Sequence, residues 1–373
     1  MLRRQDVGRR VVVRTNTGTG ADRPRYTDLL GLLVELTGTD LTVLTRHGPR
    51  QVPLARVHRA KLVPPAPAAA AGSRAEATAG SRAGATAGSR AGAGAMADPA
   101  EVHRLEAAAN ESWPAPVQQR LGDWLLRAAD GWTGRANTAL PLGDPGRPLA
   151  DAVDAVTDWY AARALPAQFN VPLPAAADVA AVLADRSWQA RPLVLVQTAD
   201  LADLRTRADA MNAGPDAMND GATAARADLP PVRLAYEPDA DWLSVVAARK
   251  SAGESLPAAA HQLLTGAPHV RFAQIHDAGT LIAVARATVS ADRHWCGVSL
   301  LEVAPAARRR GLARHLLGTI AGWAHDDMGA RRAFLQVEQR NPATALYTRL
   351  GFTTHHVYVP WGQVSDAPPG GAC

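Results

Sequence analysis

Arg308, Arg309 and Arg310 stand directly before Gly311, Leu312 and Ala313, with Arg314 one residue further on. The apolar run 298–303 before them reads as a strand, and the periodic run 312–324 after them reads as an amphipathic helix. A helix N-terminus already carries about half a positive charge and four unpaired N–H groups, so four arginines there are unfavourable unless an anion is bound. The simplest such anion is a phosphate. Gly311 removes the Cβ that would block close backbone approach, and Ala313 is the next smallest residue. The alternative is a solvated arginine run. Two other phosphate loops do not fit, because the chain has no Gly-x-x-x-x-Gly-Lys-Ser/Thr and no Gly-x-Gly-x-x-Gly after a strand.

A second block follows: the strand-like Ala333-Phe334-Leu335-Gln336-Val337-Glu338, then Asn341, then the helical Ala345-Leu346-Tyr347-Thr348-Arg349-Leu350 closed by Gly351-Phe352. Tyr347 is a phenol able to donate a proton to a departing anion, or it packs the helix against a sheet. Glu302 and Glu338 are the carboxylates nearest the two strand ends, each a candidate base or a solvated charge. His355 and His356 are adjacent on a late strand and face opposite sides, so at most one points into any site. Water as the proton acceptor is the remaining option.

Together the two blocks resemble the GNAT N-acetyltransferase superfamily, whose acetyl-CoA segment Arg/Gln-x-x-Gly-x-Gly/Ala is met by Arg308, Gly311 and Ala313. The resemblance implies acetyl-CoA as co-substrate, with its pyrophosphate on the amides of residues 309–313 and charge from Arg308, Arg309, Arg310 and Arg314. It further implies that backbone groups of Val303 align the pantetheine, that Asn341 contacts the cofactor or caps its helix, and that Tyr347 is the general acid. Some relatives carry a glutamate where this chain has Gln336, and a glutamine cannot take a proton. The base is therefore Glu302, Glu338 or neither. The acceptor is a primary amine: an amino acid, a small amine or a protein lysine. A binding protein with a decayed transferase site is the competing class.

A length of 373 residues suggests two or three domains. Residues 1–64 read as five short strands of a small basic β-barrel similar to the Src-homology-3 kind, with 12 basic and 5 acidic side chains against 28 and 30 in the remainder. Arg9, Arg10, Arg14, Arg46 and Arg50 would meet nucleic acid or an acidic surface there, or the module is a packing adaptor with compositional arginine. Residues 65–97 repeat Ala-Gly-Ser-Arg-Ala from Ala71, Ala79 and Ala87 and read as a disordered linker. A degenerate GNAT-like lobe is expected over 98–204, with a hairpin of 123–128 and 133–140. Its Arg127, Arg135 and Asn137 are candidate acceptor contacts. Trp159-Tyr160-Ala161-Ala162-Arg163-Ala164 there echoes the segment around Tyr347. A flexible inter-lobe linker is expected over 205–228, the catalytic lobe over 229–363, and a disordered tail over 364–373.

The implied fold class is α/β (α+β): tandem GNAT-like lobes, a mixed sheet flanked by helices, preceded by the all-β barrel. Only Cys296 and Cys373 are cysteines, which supplies neither a disulfide framework nor a metal cluster, so no metal is expected. No apolar run approaches the roughly 20 residues that span a bilayer, and the N-terminus lacks a signal-peptide core, so a cytoplasmic protein without membrane contact is expected.

Overall fold

The computed structural model describes residues 2–3, 6–19, 24–45, 48–63, 97–213, 229–250 and 255–363. The expected linker, apart from Ala97, and the expected tail lie outside them. The chain divides into two compact units, Met1–Met96 and Ala97–Cys373.

The first unit is one antiparallel sheet of β1 (Arg10–Thr19), β2 (Pro24–Leu36), β3 (Asp40–Thr45), β4 (Gly48–Pro53) and β5 (Val57–Leu62), in the order β4-β3-β2-β1-β5. Strand alternation explains its core: Val11 and Val13 of β1, Leu33 of β2, and Leu41 and Val43 of β3 are buried. Gly31 lets β2 cross β3 closely, since a Cβ there would sit 2.1 Å from the Leu44 carbonyl oxygen.

The second unit opens with α1 (Pro99–Ser112), started by Asp98, whose side chain accepts from the Ala100 amide, and by a proline at the first helical position. The hairpin β6 (Val117–Leu121) and β7 (Trp124–Ala128) follows, then α2 (Leu149–Ala161), β8 (Gln168–Leu173), α3 (Ala177–Asp185), the two-residue β9 (Gln189–Ala190), β10 (Val194–Asp200) and α4 (Leu201–Ala213). Next come β11 (Val232–Ala235), α5 (Ala240–Lys250), α6 (Ala258–Thr265), β12 (His269–Asp277), β13 (Thr280–Val289), β14 (Trp295–Val303) and α7 (Leu312–Gly322). Finally β15 (Arg332–Glu338), α8 (Thr344–Arg349) and β16 (Thr353–Gly362) close the unit.

Its large sheet runs β11-β12-β13-β14-β15-β10-β16-β8, with β9 beside β16, and β14 with β15 is its only parallel pair among the described strands. The mixed sheet and flanking helices are the expected class. Strand β10 fills the gap between β15 and β16, antiparallel to both. The two expected lobes thus share one hydrogen-bonded sheet. On one face α1 packs Leu105, Ala108 and Ala109 against Val194, Val196, Trp295, Phe334 and Tyr358. A second apolar cluster joins Trp113 and Trp132 to Trp242, Leu263 and Phe272.

Two local expectations differ from the structure. The hairpin turns at Gly122 and Asp123, and the stretch expected to be its second arm holds a 3-10 turn at Arg135–Asn137 instead, with Leu140 alone still bridging antiparallel to Leu125. Gly122 supplies the left-handed φ of 56° that the tight turn needs, while the Asn137 side chain takes the Ala129 and Gly131 amides away from strand pairing. The inter-lobe linker begins later than expected, because residues 205–213 continue α4; residues 214–228 lie outside the described set.

Candidate functional site

Strands β14 and β15 are paired from Trp295 with Arg332 to Val298 with Leu335, and no pairing continues beyond. The cause lies in β14. Between Ser299, opposite Arg286, and Glu302, opposite Val284, Leu300 and Leu301 together face the single residue Ala285 of β13. Leu300 takes a left-handed φ of 53°, the irregularity of a β-bulge, which bends β14 away from β15. A cleft of about 160 Å3 opens there. Ser299 and Glu302 of β14, Gln336 and Glu338 of β15, Tyr347 of α8 and Tyr358 of β16 line it. Trp113 and Arg135 form a further wall.

Tyr347 is 8% exposed, set against the Phe352 ring at 5.8 Å. Burial pushes its phenol up to about 12, helped by the negative charge of Glu302, so it is a proton donor throughout the neutral range. No hydrogen bond engages its hydroxyl among the described residues. Glu302 is paired with Arg249 Nε at 2.6 Å. Glu338 makes no ion pair within the described residues, and its backbone carbonyl accepts from the Asn341 amide. Asn341 lines the cleft, and its Oδ1 accepts from the Ala343 amide at 2.9 Å, an Asx turn that leads into α8, whose own N-cap is Ala343.

The expected base alternatives on β16 fare differently. His356 Nε2 and Glu106 Oε1 of α1 are 2.8 Å apart, both side chains buried, and neither histidine lines the cleft. His355 is pushed down to about 4 by burial and by His356 beside it. This pair ties α1 to the sheet.

The arginine-rich turn runs from the end of β14 into α7. Gly311 is its N-cap, left-handed at φ 89°, and no side chain caps the helix. Arg309 is also left-handed at φ 68°, so the turn carries two positive-φ residues in three, a feature of anion-receiving backbone turns. Arg308 Nε donates to the Val303 carbonyl at 3.2 Å, Arg310 Nη2 to Asp277 at 2.9 Å, and Arg314 Nε to Asn212 Oδ1 at 2.5 Å. Arg309 has no charged partner among the described residues. A Cβ on Gly311 would lie 2.7 Å from Arg314 Nη2. Leu312 is buried at the base of α7, leaving only its backbone for a ligand, and Ala313 follows it in the first turn. None of Val303 to Arg314 lines the cleft itself. The turn offers unpaired amides and positive charge, and the cleft offers a phenol and two carboxylates.

Of the three first-lobe candidates, two are structural. Asn137 spends its side chain on Ala129, Gly131, Trp132 and Thr133, and Arg127 spends its own on the Thr138 carbonyl and hydroxyl. Arg135 differs: it lines the cleft, lies over the Trp113 ring at 5.2 Å, and donates to Gln336 Oε1. Trp113 and Arg249 had no signal in the sequence. Tyr358 lies two residues beyond His356 and so on the same strand face, the single hint available.

Known proteins can now be compared. The family model described as "Probable histone acetyltransferase Rv0428c C-terminal" matches residues 99–359. An uncharacterised N-acetyltransferase, YobR of Bacillus subtilis, is 27% identical over 265 residues, 69% of this chain and 97% of its own. The probable histone acetyltransferase Rv0428c of Mycobacterium tuberculosis is 28% identical over 262 residues, 69% of this chain and 72% of its own. A solved GCN5-related N-acetyltransferase from Kribbella flavida shares the fold at TM-score 0.51 and 17% identity, covering 73% of this chain and 97% of that one. Among the described residues no helix is long and apolar enough to cross a membrane, and no group of three His, Cys, Asp or Glu could hold a metal.

Proposed function

Because the chain belongs to the Rv0428c C-terminal family and is an acetyltransferase of the GNAT superfamily, we propose that it transfers an acetyl group from acetyl-CoA to a primary amine in the β14–β15 cleft. The observation that carries this reading is a bulge-opened parallel pair, with a largely buried tyrosine at the opening whose hydroxyl has no hydrogen-bond partner among the described residues, and an uncapped, arginine-rich helix start following the same strand. Acetyl-CoA supplies the acetyl thioester. The amides of residues 309–313 hold the pyrophosphate, Arg309 adds its free charge, and Gly311 keeps the turn open. Arg308 closes on the Val303 carbonyl and so rigidifies the turn rather than reaching outward.

Tyr347 gives its proton to the departing thiolate, a role its raised pKa keeps available at any physiological pH. Glu338, free of ion pairs among the described residues, takes the proton of the amine directly or through water. Glu302, held by Arg249, acts mainly as fixed negative charge that draws the ammonium form of the acceptor into the cleft.

Thiol release from acetyl-CoA by the full chain, measured with amino acids, polyamines and lysine peptides, tests the reading. Acetyl-CoA-dependent turnover of at least one amine is expected. Tight acetyl-CoA binding with no amine turned over would make the protein a binding module and end the enzymatic reading.

A further inference from the structure

Arg135 of the cleft wall is backed by two buried guanidinium groups that do not themselves line the cleft. Arg286 is completely buried and Arg127 is 2% exposed, yet both spend their guanidinium groups on neutral oxygens: Arg286 on the carbonyls of Leu263, Leu264 and Ser112, and Arg127 on Thr138. Arg286 is pushed down to about 9 by burial and, secondarily, by the charge of Arg135. Glu106, the buried carboxylate on this side, is already engaged by His356 at 2.8 Å. Arg135 faces the cleft between these groups. Among the described residues no carboxylate lies within salt-bridge distance of it, and its hydrogen-bonding partner, Gln336, is neutral. A half-buried guanidinium in such surroundings gains from an anion far more than an exposed one would.

A second observation points to the same ligand chemistry. Gln336 Oε1 accepts from both Arg135 and the Tyr358 hydroxyl, which fixes the amide so that its NH2 group faces elsewhere. That Nε2 is buried and has no partner, and the Ser299 Oγ across the cleft is in the same condition. Turning the amide over would set its NH2 against the Arg135 N–H, so the vacancy is not a matter of amide assignment. Arg135, Gln336 Nε2 and Ser299 Oγ all offer protons. The group that satisfies them is a pure acceptor, and a carboxylate matches the planar fork of an arginine in two bonds. Along the same face of β15, Glu338 stands two residues from Gln336, roughly 7 Å away in a strand. One small molecule with opposite charges at its two ends would therefore meet both.

Resting on the acetyltransferase reading above, we propose that the acceptor is an amine that itself carries a carboxylate, an amino acid or close analogue, and that Arg135 of the first lobe selects it. The carboxylate binds Arg135 and the Gln336 amide, while the amine lies towards Glu338. Cationic peptide tails, which bring positive charge to Arg135, are disfavoured.

The test compares L-amino acids with their carboxamides and with a lysine-containing histone-tail peptide, using the full chain and acetyl-CoA. The acid is expected to exceed its amide about 30-fold or more in kcat/KM, the difference lying in KM. Arg135→Gln should erase that ratio while leaving acetyl-CoA affinity unchanged. Gln336→Glu, which gives Arg135 an internal carboxylate, should erase it too, and circular dichroism confirms that each variant is folded. An amide or peptide that serves as well as the acid, or a ratio that survives both substitutions, overturns the proposal. Calorimetric titration of the same acids and amides in the presence of CoA provides an answer that does not require turnover. Equal binding of acid and amide, or no binding of the acid, also overturns the proposal. Acetylation of some other amine in the same assay leaves the transferase reading standing, so the two failures are distinct.

Discussion

Tyr160 in the first lobe and Tyr347 in the second are buried tyrosines on sheet-packed helices, set in segments that echo one another in sequence, yet they are built into opposite situations. The Tyr160 hydroxyl donates to the Arg127 carbonyl at 2.8 Å and accepts from the Arg127 amide, so it is fully used. The Tyr347 hydroxyl has no such partner among the described residues and borders the cleft. Burial raises both phenols, and so burial alone does not mark the functional one. The mark is an unspent polar group. The same contrast separates Asn137, whose oxygen and nitrogen are both engaged, from Gln336 and Ser299, which keep buried atoms without partners among the described residues.

The helix starts differ in the same sense, and the largest expected effect lies there. Helix α2, which carries Tyr160, has Asp151 in its first turn to offset the dipole, whereas α7 has no acidic residue and begins at left-handed Gly311. Gly311→Glu places a strained side chain and a negative charge where the phosphate is proposed to sit. Acetyl-CoA affinity measured by calorimetry should fall about 100-fold or more, equivalent to about 2.7 kcal/mol. Unchanged affinity in a folded variant would remove the distinction between the two helix starts.

The paired substitutions Tyr347→Phe and Tyr160→Phe address the comparison directly. Tyr347→Phe should lower kcat about 100-fold with little change in acetyl-CoA affinity or melting temperature, since it deletes a proton donor that no protein group uses. Tyr160→Phe should leave kcat intact and cost about 1–3 kcal/mol of stability in denaturant titration, because the buried Arg127 backbone loses its partner. Were the two variants to exchange phenotypes, the acid would belong to the first lobe.

How much of this was legible in the sequence follows from where the contacts are. The Arg308–Arg314 turn, Glu338, Asn341 and Tyr347 lie in one continuous stretch whose strand, turn and helix periods are local, and the structure has those elements there. The other wall of the cleft was not legible as a wall. Arg135 meets Gln336 across 201 residues, and nothing in either neighbourhood names the other. An apolar run such as β10 does not state its neighbours, so its place between β15 and β16 emerges only from packing. The expected second hairpin arm failed because one side chain, Asn137, outcompeted strand pairing for two amides.

The smallest expected effect concerns the seam between the lobes, where α1 meets β16. His355 is held at about 4, below the 6.5 of an unfolded histidine, chiefly by burial and then by His356. Between those two values the unfolded chain binds a proton that the folded chain refuses, so folding stability must fall as pH drops from about 6.5 towards 4 and is fully present above. Glu106 adds a further loss only below its ordinary 4.5, because its pKa is lowered: burial opposes the shift, but the hydrogen bond and charge of His356, with the charges of Arg127 and Arg135, outweigh it. A melting temperature followed from pH 7.5 to 4.5 should decline, and His355→Gln, which cannot take up the proton, should flatten that decline without altering kcat at pH 7.5. An undiminished slope in that variant would remove His355 as the source of the acid sensitivity at this seam.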